Sequence, residues 1–383
     1  MYLKNLHLRS FRNYIDRQIE FRAKKTILVG NNAQGKSNLL EAVELLATLK
    51  SHRTSRDREL VLDSASAGQV EATIERAYGT SQLSIIFRKQ GRRTVAVNKE
   101  SLRRQLDFLG VLNAVRFSSL DLDLVRGAPD SRRGWIDGLL IQLEPVYSSI
   151  LQQYNQVLRQ RNALLKKIRA GKESSEELGE TSDDYEPQLR LWDEQLAAAG
   201  SRVARRRARV IARLAPIARF WHQRISGNEQ LEINYLPNVE WAEDDPIQVQ
   251  QAFLDKIQQR RIAEQYQGKT VVGTHRDEIE FTIDTTPARY YGSQGQQRTL
   301  VLALKLAELK LIEEVVGEPP LLLLDDVLAE LDPNRQQQLL EVIGDRFQTL
   351  ITTTHIDTFN HEWIKNSQIL AVEAGKISEI LLN

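Results

Sequence analysis

The sequence predicts an α/β fold whose two halves are separated along the chain by a helical insertion. Three observations support this prediction. Residues 30–37 read GNNAQGKS and stand between the apolar run Thr26–Val29 and an amphipathic segment. Four leucines, residues 321–324, precede two aspartates far downstream. Between these segments, apolar residues recur at seven-residue spacing, which is typical of paired helices.

Composition limits the class of protein. The chain has 383 residues, 41% of them hydrophobic and 27% charged, which is ordinary for a globular protein. Its net charge of +1 gives no overall basicity from which nucleic-acid binding could be argued. The absence of cysteine excludes disulfides and thiolate metal sites. No apolar run approaches the ~20 residues that span a bilayer, and no signal peptide is evident, so we expect a cytoplasmic protein without a membrane partner.

The N-terminal half, residues 1–130, is predicted to mix strands with one helix. Residues 1–29 have the pattern of two strands separated by a turn, and the second, Lys25–Val29, is apolar enough to be buried on both faces. A helix is expected from about Lys36 to Leu49, because apolar residues recur there at helical spacing. Residues 68–97 have the alternation of antiparallel strands.

The insertion, residues 131–269, is predicted to be helical. From about 132 to 168 two series of apolar residues repeat every seven positions, and Arg161 interrupts one of them. The acidic segment 171–186 is expected to be a solvated loop, after which Pro187 starts a second helix. Two such helices would form a hairpin about 45–50 Å long. The pattern leaves open whether the hairpin packs as a lid or projects as a coiled-coil arm.

The C-terminal half, residues 270–383, returns to alternating strands and helices. The predicted strands are 281–283, 321–324 and 348–354, and the predicted helices are 296–316 and 333–345. Gly317 and the two prolines that follow give the first of these helices a clear end. The two halves are therefore expected to form one split head.

The GNNAQGKS segment has the spacing of a phosphate-binding loop. Gly30 and Gly35 allow backbone conformations that turn successive N–H groups toward bound phosphates at a helix N-terminus. Lys36 is placed to reach the terminal phosphates of ATP, and Ser37 to offer a hydroxyl to Mg²⁺. The nucleotide-binding candidates are Gly30, Asn31, Asn32, Ala33, Gln34, Gly35, Lys36 and Ser37. A chance match is the alternative, but the strand before and the helix after argue against it.

Two acids follow the buried strand of leucines, at the edge where ligands collect in open α/β sheets. Asp325 is a candidate Mg²⁺ ligand, and Asp326 is a candidate general base for an attacking water. The simpler alternative, a pair of acids that starts a turn, does not account for four consecutive leucines before them.

A second anion-binding candidate precedes the long helix, in the segment SQGQQR (293–298). Ser293, Gly295 and Gln296 would lie at its N-terminus, where backbone N–H groups favour negative charge. An ordinary helix cap explains the same residues, and both roles are compatible. His355, at the end of a predicted strand, is a catalytic candidate beside Asp326 and Lys36, although an isolated histidine there is usually structural.

These motifs together resemble the RecF family of bacterial recombination-repair ATPases, relatives of the SMC, Rad50 and ABC-type heads. The resemblance spans nearly the whole chain and includes residues 11–14 (FRNY), 127–133 (GAPDSRR) with Asp137, and 273–278 (GTHRDE). It implies an ABC-type P-loop ATPase head, ATP-dependent homodimerisation, and binding to gapped or junction DNA. It also implies weak, DNA-stimulated ATPase activity and cooperation with RecO and RecR in loading RecA, in support of replication, recombination and the SOS response.

The chain departs from the family pattern at two points. Thr274 stands where proline is usual, and residues 117–122 read FSSLDL where the family usually has Phe-Ser-Pro-Glu-Asp-Leu. The second departure keeps that segment out of the predicted site. Related ABC heads also have glutamate where Asp326 stands, and the shorter aspartate predicts slow hydrolysis.

DNA-binding candidates are basic residues of the head near the expected dimer cleft. The principal ones are Arg53, Arg56, Arg58, Arg92 and Arg93, and the wider set adds His52, Arg88, Arg103, Arg104 and the arginine-rich run 202–213. Such residues would contact phosphates without reading sequence. Solvated or salt-bridged surface residues are an equally good interpretation of any single one.

Two other functions compete with this interpretation. An SMC- or Rad50-like bridging protein would need a far longer arm than about 140 residues provide, and no Cys-x-x-Cys hook is present. The ATPase subunit of a membrane transporter would respond to a membrane partner rather than to DNA.

Overall fold

The structure is a computed structural model that describes residues 1–178, 185–356, 359 and 361–380. Fifteen strands are assigned in this part of the chain: β1 Tyr2–Phe11, β2 Tyr14–Glu20, β3 Lys25–Val29, β4 Ala67–Arg76, β5 Gly79–Arg88, β6 Thr94–Val97, β7 Glu100–Ser101, β8 Ala114–Ser118, β9 Leu231–Leu236, β10 Glu278–Ile283, β11 Thr286–Pro287, β12 Leu321–Asp325, β13 Thr349–Thr353, β14 Ser367–Glu373 and β15 Lys376–Glu379. The α-helices are α1 Lys36–Thr48, α2 Asp123–Arg126, α3 Pro129–Leu143, α4 Val146–Leu178, α5 Glu186–Ser226, α6 Pro246–Gln267, α7 Ala288–Tyr291, α8 Gln294–Val316, α9 Pro333–Ile343 and α10 His361–Lys365.

A six-stranded sheet in the order β15-β14-β3-β13-β12-β8 carries the phosphate-binding loop. Its strands β14, β3, β13, β12 and β8 run parallel, and β15 pairs antiparallel at one edge. Strands from both ends of the chain thus form one sheet, as the split α/β fold requires. Because parallel strands end at the same edge, the loops after β3, β12 and β13 are brought together there.

A second six-stranded sheet is antiparallel and has the order β2-β1-β4-β5-β6-β7. Alternate residues of β4 and β5 are buried, which confirms the alternation predicted over residues 68–97. The prediction for residues 1–29 was wrong in number, because three strands lie there rather than two. Residues 14–20 pair with β1 as an antiparallel hairpin through the short turn at Arg12 and Asn13.

The first part of the insertion forms two helices, where the seven-residue repeat predicted one continuous helix from about 132 to 168. Helix α3 ends at Leu143 and α4 begins at Val146, with Pro145 between them. Proline lacks an N–H and disfavours helix in the residue before it, so the seven-residue repeat continues across two separate helices. Part of the predicted loop 171–186 is also helical, because α4 extends to Leu178; residues 179–184 lie outside the described residues.

The base and the tip of the helical hairpin pack differently. Apolar residues of α4 up to Val157 and of α5 from Leu196 onward belong to the main core. Nearer the tip, Leu164, Leu165, Ile168 and Leu189 form a separate small cluster. The hairpin is therefore anchored on the head and extends beyond its core. The assignment of 131–269 as one inserted unit stays a prediction.

Arg161, the residue that interrupts the heptad pattern, is completely buried between α4, α5 and α6. Its guanidinium donates to Asp193 Oδ1 at 2.8 Å, Glu264 Oε2 at 2.6 Å and Thr270 Oγ1 at 2.9 Å. A buried charge is tolerated when it is paired and hydrogen-bonded in this way. Arg161 on α4 thus links its own helix to α5 and α6.

We expect Arg161→Met to destabilise the protein by about 3–5 kcal/mol, because two buried carboxylates would lose their main partner. Urea unfolding followed by circular dichroism measures this loss. Arg190→Met is the matched control: Arg190 lies on α5 in an exposed i,i+4 pair with Glu186, and it should cost under about 1 kcal/mol. Equal losses for the two variants would contradict this account of Arg161.

Candidate functional site

The phosphate-binding loop connects β3 to α1, as the sequence predicts. Gly30 has φ 156° and Gly35 has φ 118°, a backbone region that side chains disfavour. A Cβ added at Gly35 would lie 2.7 Å from Asn13 Nδ2, and one at Gly30 would lie 2.3 Å from Val372 O. Both glycines are therefore required by backbone conformation and by space.

Two side chains of the β1–β2 hairpin hold this loop from outside. Asn13 Nδ2 donates to Gln34 O at 2.9 Å, and the Tyr14 hydroxyl donates to Gly35 O at 2.9 Å. Beside them, Arg12 binds the buried carboxylate of Glu41 on α1 through two hydrogen bonds of 2.8 and 2.6 Å. The sequence identified these three residues only as part of the family motif at 11–14. Their function here is to fix the loop on the antiparallel sheet.

Lys36 is the first residue of α1, and its side chain turns back over the loop. Its ammonium donates to Gly30 O at 2.7 Å and Asn31 O at 2.9 Å. An ammonium has three donors, so the same group can also serve an anion placed inside the loop. The role predicted for Lys36, contact with the terminal phosphates, stays a prediction.

Ser37 and Asp325, predicted to share a metal ion, lie in direct contact. Asp325 Oδ1 accepts hydrogen bonds from Ser37 Oγ at 2.7 Å and from Thr352 Oγ1 at 2.9 Å. A carboxylate and a hydroxyl are oxygen ligands of the kind that Mg²⁺ prefers. Within the described ranges no group of three or more acidic, histidine or cysteine residues could hold a metal by itself. Ser37 and Asp325 supply one hydroxyl and one carboxylate, which fits Mg²⁺ held jointly by the protein and by nucleotide phosphates, the usual arrangement for this ion.

Asp326 follows in a left-handed conformation, with φ 54°, which aspartate tolerates better than most residues. Its backbone N–H donates to Thr352 Oγ1 at 2.9 Å, so Thr352 bridges both aspartates. Burial raises the pKa of the Asp326 carboxyl, the charge of Asp325 acts in the same direction, and the Lys36 ammonium opposes both. A proton acceptor of raised basicity thus stands beside the candidate phosphate site.

A cleft of about 500 Å³ joins these groups. It is lined by residues 32–38, by Asp325 and Asp326, by His52, Arg53 and Arg116, and by residues 118–120. The last three belong to the segment whose departure from the family pattern kept it out of the predicted site. Ser118 and Ser119 were therefore missed. The available signal was their position directly after a buried strand, the same position that marked Asp325.

The SQGQQR segment forms the start of α8 and does not contribute to this cleft within the described part of the chain. Ser293 caps the helix: its Oγ accepts from Gln296 N at 3.2 Å, and Gln296 Oε1 accepts from Ser293 N at 2.8 Å. Ser293 is exposed and Gly295 partly so. The segment presents a capped, accessible helix N-terminus outside the cleft formed by the chain's own phosphate-binding loop.

His355 lies just beyond the end of β13, and its backbone is bonded to the Thr353 hydroxyl. It is not among the described residues that line the cleft. The sheet thus brings together the phosphate-binding loop and both aspartates, while His355 stays beside them as an untested candidate.

The basic candidates differ in their surroundings. Arg53 lines the cleft and donates to Asn38 Oδ1 at 2.6 Å. Arg93 forms an ion pair with Asp57 and is half-buried, and Arg56 lies 3.6 Å from Glu59. Arg58 and Arg92 are exposed.

Most arginines of the run 202–213 on α5 form ion pairs within the chain. Arg207 is buried and binds Asp137 and Asp277, while Arg205 and Arg209 both bind Asp244. These partners lie outside the acidic segment 171–186. Most of this run therefore has a structural role.

A parallel sheet that carries a phosphate-binding loop and a pair of aspartates, flanked by an antiparallel sheet and a capped helix start, defines an ABC-type ATPase head. Among the helices of the described residues, none combines the length and apolarity needed to cross a bilayer.

Comparison with known proteins makes the assignment more specific. The family model described as the RecF/RecN/SMC N terminal domain matches residues 2–378. The DNA replication and repair protein RecF of Gloeothece citriformis is 70% identical over 383 residues, covering 99% of this chain and all of that protein. The chain belongs to this family and, within it, to the RecF proteins.

Solved structures agree with this assignment. A structure of the recombination mediator protein RecF-ATPrS in the RecFOR pathway is 32% identical, with a TM-score of 0.90 over 99% of this chain and 98% of that one. The Smc head domain of Pyrococcus furiosus, 16% identical, has a TM-score of 0.55 over 100% of this chain and 96% of that one, and so shares the fold alone.

Proposed function

We propose that this protein is a cytoplasmic ATP-dependent DNA-binding protein of recombinational repair, whose two copies close on ATP. The observation that carries the proposal is the separation of two anion-binding elements. Lys36, Ser37 and Asp325 form one half-site, and the exposed start of α8 at Ser293, which does not line that cleft, forms another. Two copies related by a two-fold axis would bring each Ser293 segment onto the partner's nucleotide.

Within this proposal each residue has a defined role. Backbone N–H groups of 30–37 and the Lys36 ammonium bind the β- and γ-phosphates, and Ser37 and Asp325 hold Mg²⁺, which neutralises phosphate charge during transfer. Asp326 accepts the proton of the attacking water. Ser118 and Ser119 line the same cleft and are proposed to contact the same phosphates.

The expected place of action is gapped or junction DNA, where the protein assists RecO and RecR in loading RecA. Near-full-length similarity to a RecF structure of the RecFOR pathway supports this pathway. The direct test is binding to a gapped duplex with ATP and with ADP. Tighter binding in ATP supports the proposal, and equal binding in the two nucleotides contradicts it.

Hydrolysis is proposed to be slow and to act as a timer for release. Aspartate at 326 is one methylene shorter than the glutamate of related heads, and its left-handed backbone sets the direction of the Cα–Cβ bond. We expect slow single-turnover hydrolysis by the wild type and retained or faster turnover in Asp326→Glu. A fast wild type, or an Asp326→Glu variant without turnover, would refute the timer.

DNA contact is assigned to the exposed arginines Arg56, Arg58 and Arg92. Replacing all three by alanine should lower the slope of log affinity against log salt by up to about 3, since each phosphate contact contributes about 0.9. Arg159, Arg190 and Arg260, also exposed but on the insertion, form a control triple of the same charge change. An unchanged slope, or an equal change in the control, would overturn the assignment.

A further inference from the structure

A glutamate of the helical insertion contacts the segment that the proposed dimer would present to its partner. Gln296 Nε2 donates to Glu229 Oε1 at 2.9 Å. Glu229 lies in the short connection between α5 and β9, 67 residues before Gln296 along the chain. It belongs to none of the sequence motifs, and no role has so far been given to it.

This contact fixes the orientation of the Gln296 amide. An ionised carboxylate only accepts hydrogen bonds, so it selects the NH₂ end of the amide. The amide oxygen then faces Ser293 N, from which it accepts at 2.8 Å. A flipped amide would oppose its NH₂ to the Ser293 N–H, two donors, and would break the reciprocal cap that starts α8.

The backbone next to Glu229 is held by two hydrogen bonds to Asp284. The next residue, Gln230, donates from its backbone N to Asp284 Oδ1 at 2.8 Å and accepts at its carbonyl from Asp284 N at 2.9 Å. Glu229 Oε2 also lies 3.8 Å from Nε2 of His222, a fully buried side chain on α5. Burial lowers the pKa of His222, and the charge of Glu229 opposes this shift. The carboxylate of Glu229 thus lies beside both Gln296 and His222.

On the opposite side, the start of α8 is held by a residue that follows the aspartate pair. Arg335 donates to Thr299 Oγ1 at 2.8 Å and to Gly295 O at 3.3 Å. Arg335 fixes the backbone of the first turn, whereas Glu229 fixes the side chain that caps it. The two contacts come from different parts of the fold and meet on one helical turn.

We propose that Glu229 is a positioning residue for the Ser293–Gln296 segment and couples the helical insertion to closure of the ATP-bound dimer. The proposal rests on the function proposed above. Displacement of the connection after α5 would release Gln296, loosen the Ser293 cap and weaken the surface offered to the partner's nucleotide. Binding of nucleotide by a single copy does not use this contact and stays unchanged.

The test compares Glu229→Ala, Glu229→Gln and wild type by sedimentation equilibrium in ATP. Glu229→Ala should weaken ATP-dependent dimerisation about tenfold. Glu229→Gln should stay within about threefold of wild type, because its amide oxygen still accepts from Gln296. Glu232→Ala, an exposed glutamate on β9, is the matched control and should be neutral. ATP affinity under conditions that keep the protein monomeric, and the urea midpoint, should not change in any variant.

The possible outcomes distinguish failure of the proposed function from failure of the positioning role of Glu229. A wild type that stays monomeric in ATP refutes the proposed function itself. A wild type that dimerises together with an unaffected Glu229→Ala refutes the positioning role. Equal loss in the alanine and glutamine variants, or a parallel fall in monomer ATP affinity, also refutes it, since neither follows from an acceptor that only orients Gln296.

Discussion

Lys36→Ala is expected to weaken ATP binding about 100-fold and to abolish ATP-dependent dimerisation. The ammonium is held over the phosphate-binding loop by Gly30 O and Asn31 O, where we propose that its charge contacts the terminal phosphates. Loss of a charge-assisted contact costs about 2–3 kcal/mol, or about two powers of ten in affinity. Isothermal titration with a slowly hydrolysed ATP analogue measures this loss.

The control for this variant is Lys50→Ala. Lys50 stands just beyond the other end of α1 and is exposed, so the same change of residue should leave affinity and dimerisation intact. Full ATP affinity in Lys36→Ala would show that the cleft does not bind phosphates as described.

Ser293→Arg is expected to weaken ATP-dependent dimerisation while it leaves ATP binding by the monomer intact. Ser293 is exposed at the start of α8 and lies outside its own chain's cleft, so monomer ATP affinity should remain within about threefold of wild type. A bulky cation replaces the cap, opposes the positive helix N-terminus and occupies the surface offered to the partner. ATP-dependent dimerisation should therefore weaken by at least about 100-fold.

Sedimentation equilibrium and titration calorimetry on the same preparation measure both quantities for Ser293→Arg. Thr80→Arg, at the exposed end of the β4–β5 hairpin, controls for the added charge. Loss of monomer ATP affinity in Ser293→Arg would place the segment in its own chain's site and would overturn the two-copy arrangement.

Much of the candidate site could be predicted because its signals are local. The phosphate-binding loop combines a glycine spacing with a strand before and a helix after, and all three are readable within 25 residues. Asp325 was likewise placed at the end of a buried strand, and strands of a parallel sheet end at one edge. The structure accordingly brings Asp325 into contact with Ser37, the other residue assigned to Mg²⁺.

The parts that escaped prediction depend on contacts between distant segments. Asn13 and Tyr14 support the loop from another sheet, and Ser118 enters the cleft through pairing of β8 with β12. Likewise, the spacing of arginines on α5 predicts a positive charge but not which carboxylates pair with it. In the structure Arg207 binds Asp137 and Asp277. One local signal was misjudged: Pro145 ends a helix even where the heptad pattern runs on.

The most direct test of the central claim is the mass of the protein by light scattering with ATP, with ADP and without nucleotide. We predict a doubling of mass with ATP alone, because in the proposed dimer the triphosphate connects one copy's Lys36 and Ser37 to the Ser293 segment of the other. Parallel measurements with a gapped duplex should show tighter binding under the same condition. An unchanged mass at saturating ATP would contradict closure of two copies on the nucleotide.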